Sequence, residues 1–185
     1  MEDLNEVFMT ISKADEIACV KHLIKSSLLI LRDKDIELIK SEVRFSNNDT
    51  EQKLHEVCIN HRLAVYIEKN LNDENYFVDI EYNKNNYAPK ILQTDNCQKE
   101  VRPDIIVHTR TKDTNYHKSY LIIESKKDKD SEKDEEKIKA FIKSTDYSYK
   151  FGCKIIYGDL YSKCKIKVFY SLDGKKIDSD EIKLE

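Results

Sequence analysis

Residues 102–109, Arg-Pro-Asp-Ile-Ile-Val-His-Thr, and residues 119–126, Ser-Tyr-Leu-Ile-Ile-Glu-Ser-Lys, decide how this chain is read. Each is a run of β-branched and aromatic side chains bounded by charge, which predicts a strand. Pro103 falls at the first position of its run, where a missing backbone donor is tolerated. Side chains alternate along a strand, so Glu124 and Lys126 face the same way, roughly 7 Å apart, with Tyr120 and Ile122 behind them. A neighbouring strand lies about 4.8 Å away, so Asp104 reaches Glu124 if the two runs pair. Two carboxylates and an ammonium then meet in one place. The bland alternative for Glu124 and Lys126 is a solvated strand-end pair worth under about 1 kcal/mol. For Asp104 it is a turn cap after proline.

Outward from this pair, residues 76–82 alternate with period two and predict another strand, followed by a turn at Asn83–Asn86. Downstream, Ser131 is expected to cap a helix, with Asp134 three residues on. Ile138, Phe141, Ile142 and Thr145 follow at helical spacing. Two short strands are expected at 154–157 and 165–170, and Asp173-Gly174 reads as a turn. The sign-alternating run Lys126–Lys137 reads as a solvated loop and an exposed helix face.

Upstream, a helix is expected over 50–71. At about 100° per residue, Leu54, Val57, Cys58, Ala64, Val65 and Leu71 share one face, and Ile59, Leu63 and Ile67 form a second row opposite, which predicts burial on both sides. Glu56 falls in the second row, a costly place for a carboxylate unless a cation or donor compensates it. Arg44 is one possible partner. Residues 1–45 read as helical, with Ile17, Ala18, Lys21, Ile24, Lys25 and Leu28 at helical spacing. The tetrad Arg32-Asp33-Lys34-Asp35 is expected to break the segment in two. The stretch Ser46–Thr50 is the expected boundary before the next helix.

Composition narrows the class. At 185 residues and 21.8 kDa the chain suits one domain. Hydrophobic residues are 39% and charged residues 36%, and the apolar ones recur periodically, which excludes global disorder. The longest aliphatic run, Leu28–Leu31, is far short of the ~20 residues that span a bilayer. No secretory signal is visible, and an intracellular, cytoplasmic setting is expected. Five cysteines, an odd count without a CxxC pair, suggest neither disulfides nor a zinc ribbon. His55, Cys58 and His61 do not share one helix face and make a poor zinc site. With 32 Lys plus Arg against 35 Asp plus Glu, the formal charge is −3, so nucleic-acid contact must use a local patch or metal ions.

Asp104, Glu124 and Lys126 together form a kit for phosphodiester hydrolysis. Carboxylates hold Mg²⁺, a hard cation that prefers oxygen, and a lysine orients or deprotonates water or stabilises the transition-state charge. Pro103-Asp104 followed by Glu124-Ser125-Lys126, preceded by a helix bearing Glu56 and followed by an amphipathic helix, resembles the PD-(D/E)XK nuclease superfamily. The resemblance runs from Leu54 to Tyr170. It implies a restriction-endonuclease-like α/β fold, a central mixed sheet flanked by helices in αβββαβ order with the site at one sheet edge. It also implies that Asp104 and Glu124 ligate Mg²⁺ (or Mn²⁺), that Lys126 positions the water, and that Glu56 is an auxiliary acid and ligand. The chain divides on this reading into an N-terminal helical extension, 1–48, packed on a nuclease-like domain, 49–185.

Asp79 and Glu81 are reserve carboxylates. Lys127 faces away from Lys126, His108 reads as a strand-surface residue, and Lys165 and Lys167 share a face that is either a solvated edge or a phosphate contact. The Gln-x-x-x-Tyr element of exonuclease-like branches is absent from the second helix. The resemblance implies an endonuclease acting on DNA in prokaryotic or phage defence, restriction or repair, paired as a homodimer or docked to a partner protein through the N-terminal helices. The rival expectation is a non-catalytic binding or docking module on the same fold.

Overall fold

A computed structural model describes residues 11–40, 42–43, 52–53, 56–71, 73–85, 88–94, 97–110 and 118–184. Its elements are helices α1 (Lys13–Lys40), α2 (Glu56–Asn70) and α3 (Glu132–Lys143). Six strands form the main sheet: β1 (Tyr76–Ile80), β2 (Ile105–Thr109), β3 (Ser119–Lys126), β4 (Phe151–Ile156), β5 (Lys165–Tyr170) and β6 (Asp178–Ile182). They lie in the order β6-β5-β4-β3-β2-β1, with β3 and β4 parallel and every other pair antiparallel. Helix α3 is the crossover that the parallel pair requires. The chain is therefore an α/β protein, with N-terminal helices followed by a mixed sheet.

The two decisive runs pair as anticipated, Ile105 opposite Ile123 and Ile106 opposite Ile122. All five residues of β2 are buried, which is why its sequence is continuously apolar rather than alternating. One face, with Ile105, Val107, Leu121 and Ile123, packs against α1 and α2. The other, with Ile106, Ile122 and Phe169, packs against Ile138 and Phe141 of α3. Each such fully buried side chain contributes about 1.5–3 kcal/mol. Gly152 of β4 lets α3 lie this close: a Cβ there would stand 2.2 Å from Ile138 Cγ2.

Several boundaries depart from expectation. Helix α1 starts at Lys13, with Asp15 N–H donating to Ser12 Oγ at 3.2 Å as an N-cap. It kinks at Asp35, inside the expected tetrad, where the Asp35 carboxylate accepts from Arg62 Nε at 2.9 Å and from the Tyr66 hydroxyl. Helix α2 starts at Glu56 rather than near 50, because Gln52–Lys53 pairs with Glu42–Val43 as a short ladder. Leu54, His55, Arg44 and the 46–50 boundary lie outside the described residues. Only the Ile59, Leu63 and Ile67 row of α2 is fully buried; Val57 and Cys58 are exposed, so the helix is not sandwiched.

Strand β2 begins at Ile105, leaving Pro103 and Asp104 just before it, and β1 ends at Ile80. Two short antiparallel pairs, Lys84–Asn85 with Ala88–Pro89 and Ile91–Thr94 with Cys97–Glu100, fill the connection between them. Ser131 stands at the N-cap of α3 but makes no side-chain bond there, and α3 ends at Lys143, before Thr145. The strand after α3 starts at Phe151 rather than 154, and a sixth strand, β6, covers β5. Lys165 and Lys167 are thus not on an edge strand. Among the described residues no helix is long and apolar enough to cross a membrane.

Candidate active site

The β2–β3 register continues one step past Ile105 and Ile123 to bring Asp104 and Glu124 opposite each other. Asp104 sits where the chain enters β2. Its Oδ2 accepts from Ser125 N–H at 2.7 Å, a bond that fixes the carboxylate against the end of β3. Behind it, the Ser125 hydroxyl donates to Asn60 Oδ1 at 2.7 Å, and the Tyr157 hydroxyl donates to the same oxygen at 2.7 Å. Asn60 is a polar residue in the buried face of α2, so this network ties α2, β3 and the end of β4 together behind the acid.

Glu124 is held in an unfavourable environment for its charge. Its side chain is 3% exposed. Lys137 of α3 donates to Oε2 at 2.9 Å; its Nζ is 2.8 Å from Oε1 but outside hydrogen-bonding geometry, and Oε1 is left buried without a hydrogen bond. Burial pushes the Glu124 carboxyl up to about 8; Lys137 opposes this and the nearby Asp104 adds to it. Burial likewise raises Asp104, against the Ser125 bond and the charges of Lys126 and Lys137. The two acids are thus linked electrostatically: Asp104 acts on Glu124, and the charge of Lys137 acts on both.

Lys126 Nζ is 3.4 Å from Glu56 Oε2 and donates to Ser125 O at 3.0 Å. Burial works against its charge, but Asp104, Glu56 and Asp134 outweigh it and raise the pKa above the usual lysine value. Glu56 opens α2, and its Oε1 accepts from Lys127 N–H at 2.9 Å. Its side chain is 40% exposed, so the expected desolvated carboxylate on an apolar stripe is corrected: the row it shares with Leu63 and Ile67 emerges from the core at the helix start.

The other expected residues lie elsewhere. Asp79 is held by His108 at 2.6 Å and by Arg110 at 2.8 Å, and Glu81 by Arg102 at 3.0 Å. His108 is buried rather than on the strand surface, and faces Asp79 instead of the acid pair.

Sequence reasoning read Asp134 as the acid of a capping pattern with Ser131 and placed it and Lys137 in a solvated run. The structure corrects this: α3 has no side-chain cap bond. Lys137 bridges Glu124 and Arg102 O, the latter at 2.9 Å. Asp134, in the first turn of α3, has its Oδ2 buried without a hydrogen bond, and its charge acts on both Glu124 and Lys126. The one available signal is spacing: Asp134, Lys137 and Ile138 fall on one helix face, and Ile138 is core.

Two buried carboxylate oxygens lack a hydrogen bond: Glu124 Oε1, which has the Lys137 ammonium 2.8 Å away, and Asp134 Oδ2, whose charge acts on Glu124. The donors are all hard oxygens, which fits Mg²⁺. Among the described residues no three Asp, Glu, His or Cys side chains gather closely enough to hold an ion by themselves. That is compatible with Mg²⁺ as well, since it commonly takes one or two carboxylates and completes its shell with water and substrate phosphate.

Comparison with protein-family models, curated proteins and solved structures gives no match. The case for function therefore stands on the residues themselves.

Proposed function

We propose that the chain is a metal-dependent nuclease of the restriction-endonuclease-like fold, an endonuclease that hydrolyses phosphodiester bonds in DNA. The observation that carries this reading is the buried Glu124 acted on by Asp104, with Lys126 in turn acted on by Asp104, and one Glu124 carboxylate oxygen left without a hydrogen bond. The element order α2-β1-β2-β3-α3-β4 supports it, being the αβββαβ order of that fold.

Asp104 and Glu124 are the residues to hold Mg²⁺ or Mn²⁺, which when bound supplies a Lewis acid for the phosphoryl oxygen and an acidified water. Glu124 must release its proton on binding. Lys126 stays protonated, so it acts as a donor and a point charge rather than as a base. Glu56 keeps Lys126 at the strand end, and Asp134 adds negative charge close to both.

The test is cleavage of plasmid, linear single-stranded DNA and RNA with Mg²⁺, Mn²⁺ or chelator. Asp104→Asn, Glu124→Gln and Lys126→Met should each lower metal-dependent cleavage by about 10²-fold or more while circular dichroism stays unchanged. Full activity in all three variants sinks the reading.

One observation favours a second reading. Lys137 already engages both oxygens of Glu124, as a structural ion pair docking α3 on the sheet would. In that case the chain is a non-catalytic binding module, and no substrate is cut with any divalent ion.

A further inference from the structure

A cleft of about 680 Å³ opens at the same sheet end as the acid pair, beyond the end of β4, the start of β5 and the end of β6. The register ties it to the site: Lys126 is opposite Ile156, and Ile156 is opposite Lys165. Two strand spacings, about 10 Å, separate Lys165 from Lys126 along the sheet end. A chain with one phosphate at the acid pair can therefore lay a neighbouring nucleotide in the cleft.

The charges of the cleft fall into two sets. On its inner wall Lys154 is bound by Asp130 and by Glu135 at 3.2 Å, and Lys167 by Glu135 at 3.0 Å, so those charges are spent on each other. On its open side Lys165 and Lys183 are exposed and form no ion pair among the described residues, while Arg32 is paired with Asp33 at 3.0 Å. Glu181 is the acid that opposes them there. The open side therefore carries excess positive charge in a chain that is acidic overall.

Tyr161 stands on the rim, 54% exposed, and is the one aromatic among the exposed large apolar side chains of the described residues. The Arg32 guanidinium lies 5.3 Å from its ring centroid. This ring sits on a stiff turn. Asp159 Oδ1 accepts from Tyr161 N–H at 2.8 Å and Lys163 N–H at 2.9 Å. Gly158, at φ +56°, packs so tightly that a Cβ would stand 2.6 Å from Lys163 O. An exposed aromatic held rigidly beside free cations is what an unpaired base and its phosphate require, since stacking needs a base out of the duplex.

We propose that this cleft binds a nucleotide of a single-stranded nucleic-acid segment next to the scissile phosphate, with Lys165 and Lys183 on the phosphate and Tyr161, backed by Arg32, on the base. The proposal rests on the nuclease reading for its placement but not for its measurement.

The experiment is fluorescence anisotropy of a labelled single-stranded oligonucleotide, and of the same sequence as a duplex, in chelator so that nothing is cut. Wild type should bind the single strand more tightly than the duplex. Tyr161→Ala should weaken binding by about fivefold or more and Tyr161→Phe should not. Lys165→Glu combined with Lys183→Glu should weaken it by at least about tenfold and flatten the salt dependence. Equal affinity for duplex, no binding by wild type, or Tyr161→Ala and the double variant both within twofold of wild type overturns the cleft while leaving metal-dependent cleavage to stand or fall separately. Binding lost in the cleft variants, with no cleavage under any metal, retains the cleft and removes the nuclease.

Discussion

Beside its apolar contact through Ile138 and Phe141, helix α3 covers a row of charged side chains on the sheet, and the two halves of that row behave differently. Across the strands Glu124 is opposite Lys154, Lys154 opposite Lys167, and Lys167 opposite Glu181. At one half, Glu135 of α3 sits between Lys154 and Lys167, with Asp130 also on Lys154 and Lys139 3.7 Å from Glu135, so each acid there has a cation. Burial alone would raise the Glu135 carboxyl, but the bonds from Lys167 and Lys154 outweigh it and hold it below the usual glutamate value. At the other half, Lys137 bonds Glu124 and, with Lys126, acts on Asp104, yet burial wins: Glu124 is pushed up to about 8. The same helix, face and kind of side chain give a balanced pair set in one place and an acid excess in the other. Where cations outweigh burial the acid stays charged and the contact is settled; where burial outweighs its cation the acid is held in an unfavourable state.

The largest expected effect is on stability against pH. Glu124 has a folded pKa raised above its unfolded value of about 4.5, so between those two values the folded chain holds a proton that the unfolded chain has lost. This contribution to stability is complete below about pH 4.5 and is lost as pH rises through about 8, by at most about 1.4 kcal/mol per pH unit. Urea unfolding from pH 5 to 8.5 without metal should therefore show falling stability in wild type and a flatter profile in Glu124→Gln. Identical slopes for the two would mean that Glu124 is not held in an unfavourable environment, and the contrast between the halves would vanish.

The matching substitution at the balanced half should have the opposite sign. Glu135→Gln strands Lys154, whose side chain is 7% exposed, with Asp130 as its remaining partner, while Lys167 loses its carboxylate. Breaking a buried pair from one side costs about 3–5 kcal/mol, and the partial exposure of Glu135 reduces this to about 2 kcal/mol. Chemical denaturation at pH 7 reads it directly. A Glu135→Gln chain as stable as wild type would break the comparison from the other side.

How much of this was legible in the sequence follows from which forces act locally. The two strands were readable because Ile105, Ile106, Leu121, Ile122 and Ile123 form continuous apolar runs, but such runs fit several registers; the assembled sheet sets Ile105 opposite Ile123. Strand β6 was not, because Asp178–Ile182 offers one apolar residue in five and is recruited by pairing with β5 rather than by its own pattern. Asn60 and Ser125 were passed over as ordinary polar residues, since nothing local says that they face each other across α2 and β3. Asp134, Glu135 and Lys137 were read as solvated because their run alternates in sign. Which strand each one covers depends on how α3 crosses the sheet, and the close approach at Gly152 that sets this is a property of the assembled layers.

The smallest expected effect discriminates best between a docking contact and a metal place. If the ion and the Lys137 ammonium compete for Glu124, Lys137→Met should bind Mn²⁺ more tightly. Removing Lys137 also takes away a charge that holds the Glu124 proton off, so at pH 7 a stronger proton competes with the ion and the two effects oppose each other. At pH 9 the carboxyl is mostly ionised in wild type, proton competition fades, and the gain should emerge as roughly tenfold in affinity by calorimetry, equivalent to one like charge removed from the site at about 1.4 kcal/mol. An unchanged or weaker affinity at pH 9, with wild type binding the ion, would show that Lys137 shapes the acids rather than standing in for a cation. No binding by either chain would make Lys137–Glu124 a docking pair like Lys154–Glu135, only less well balanced.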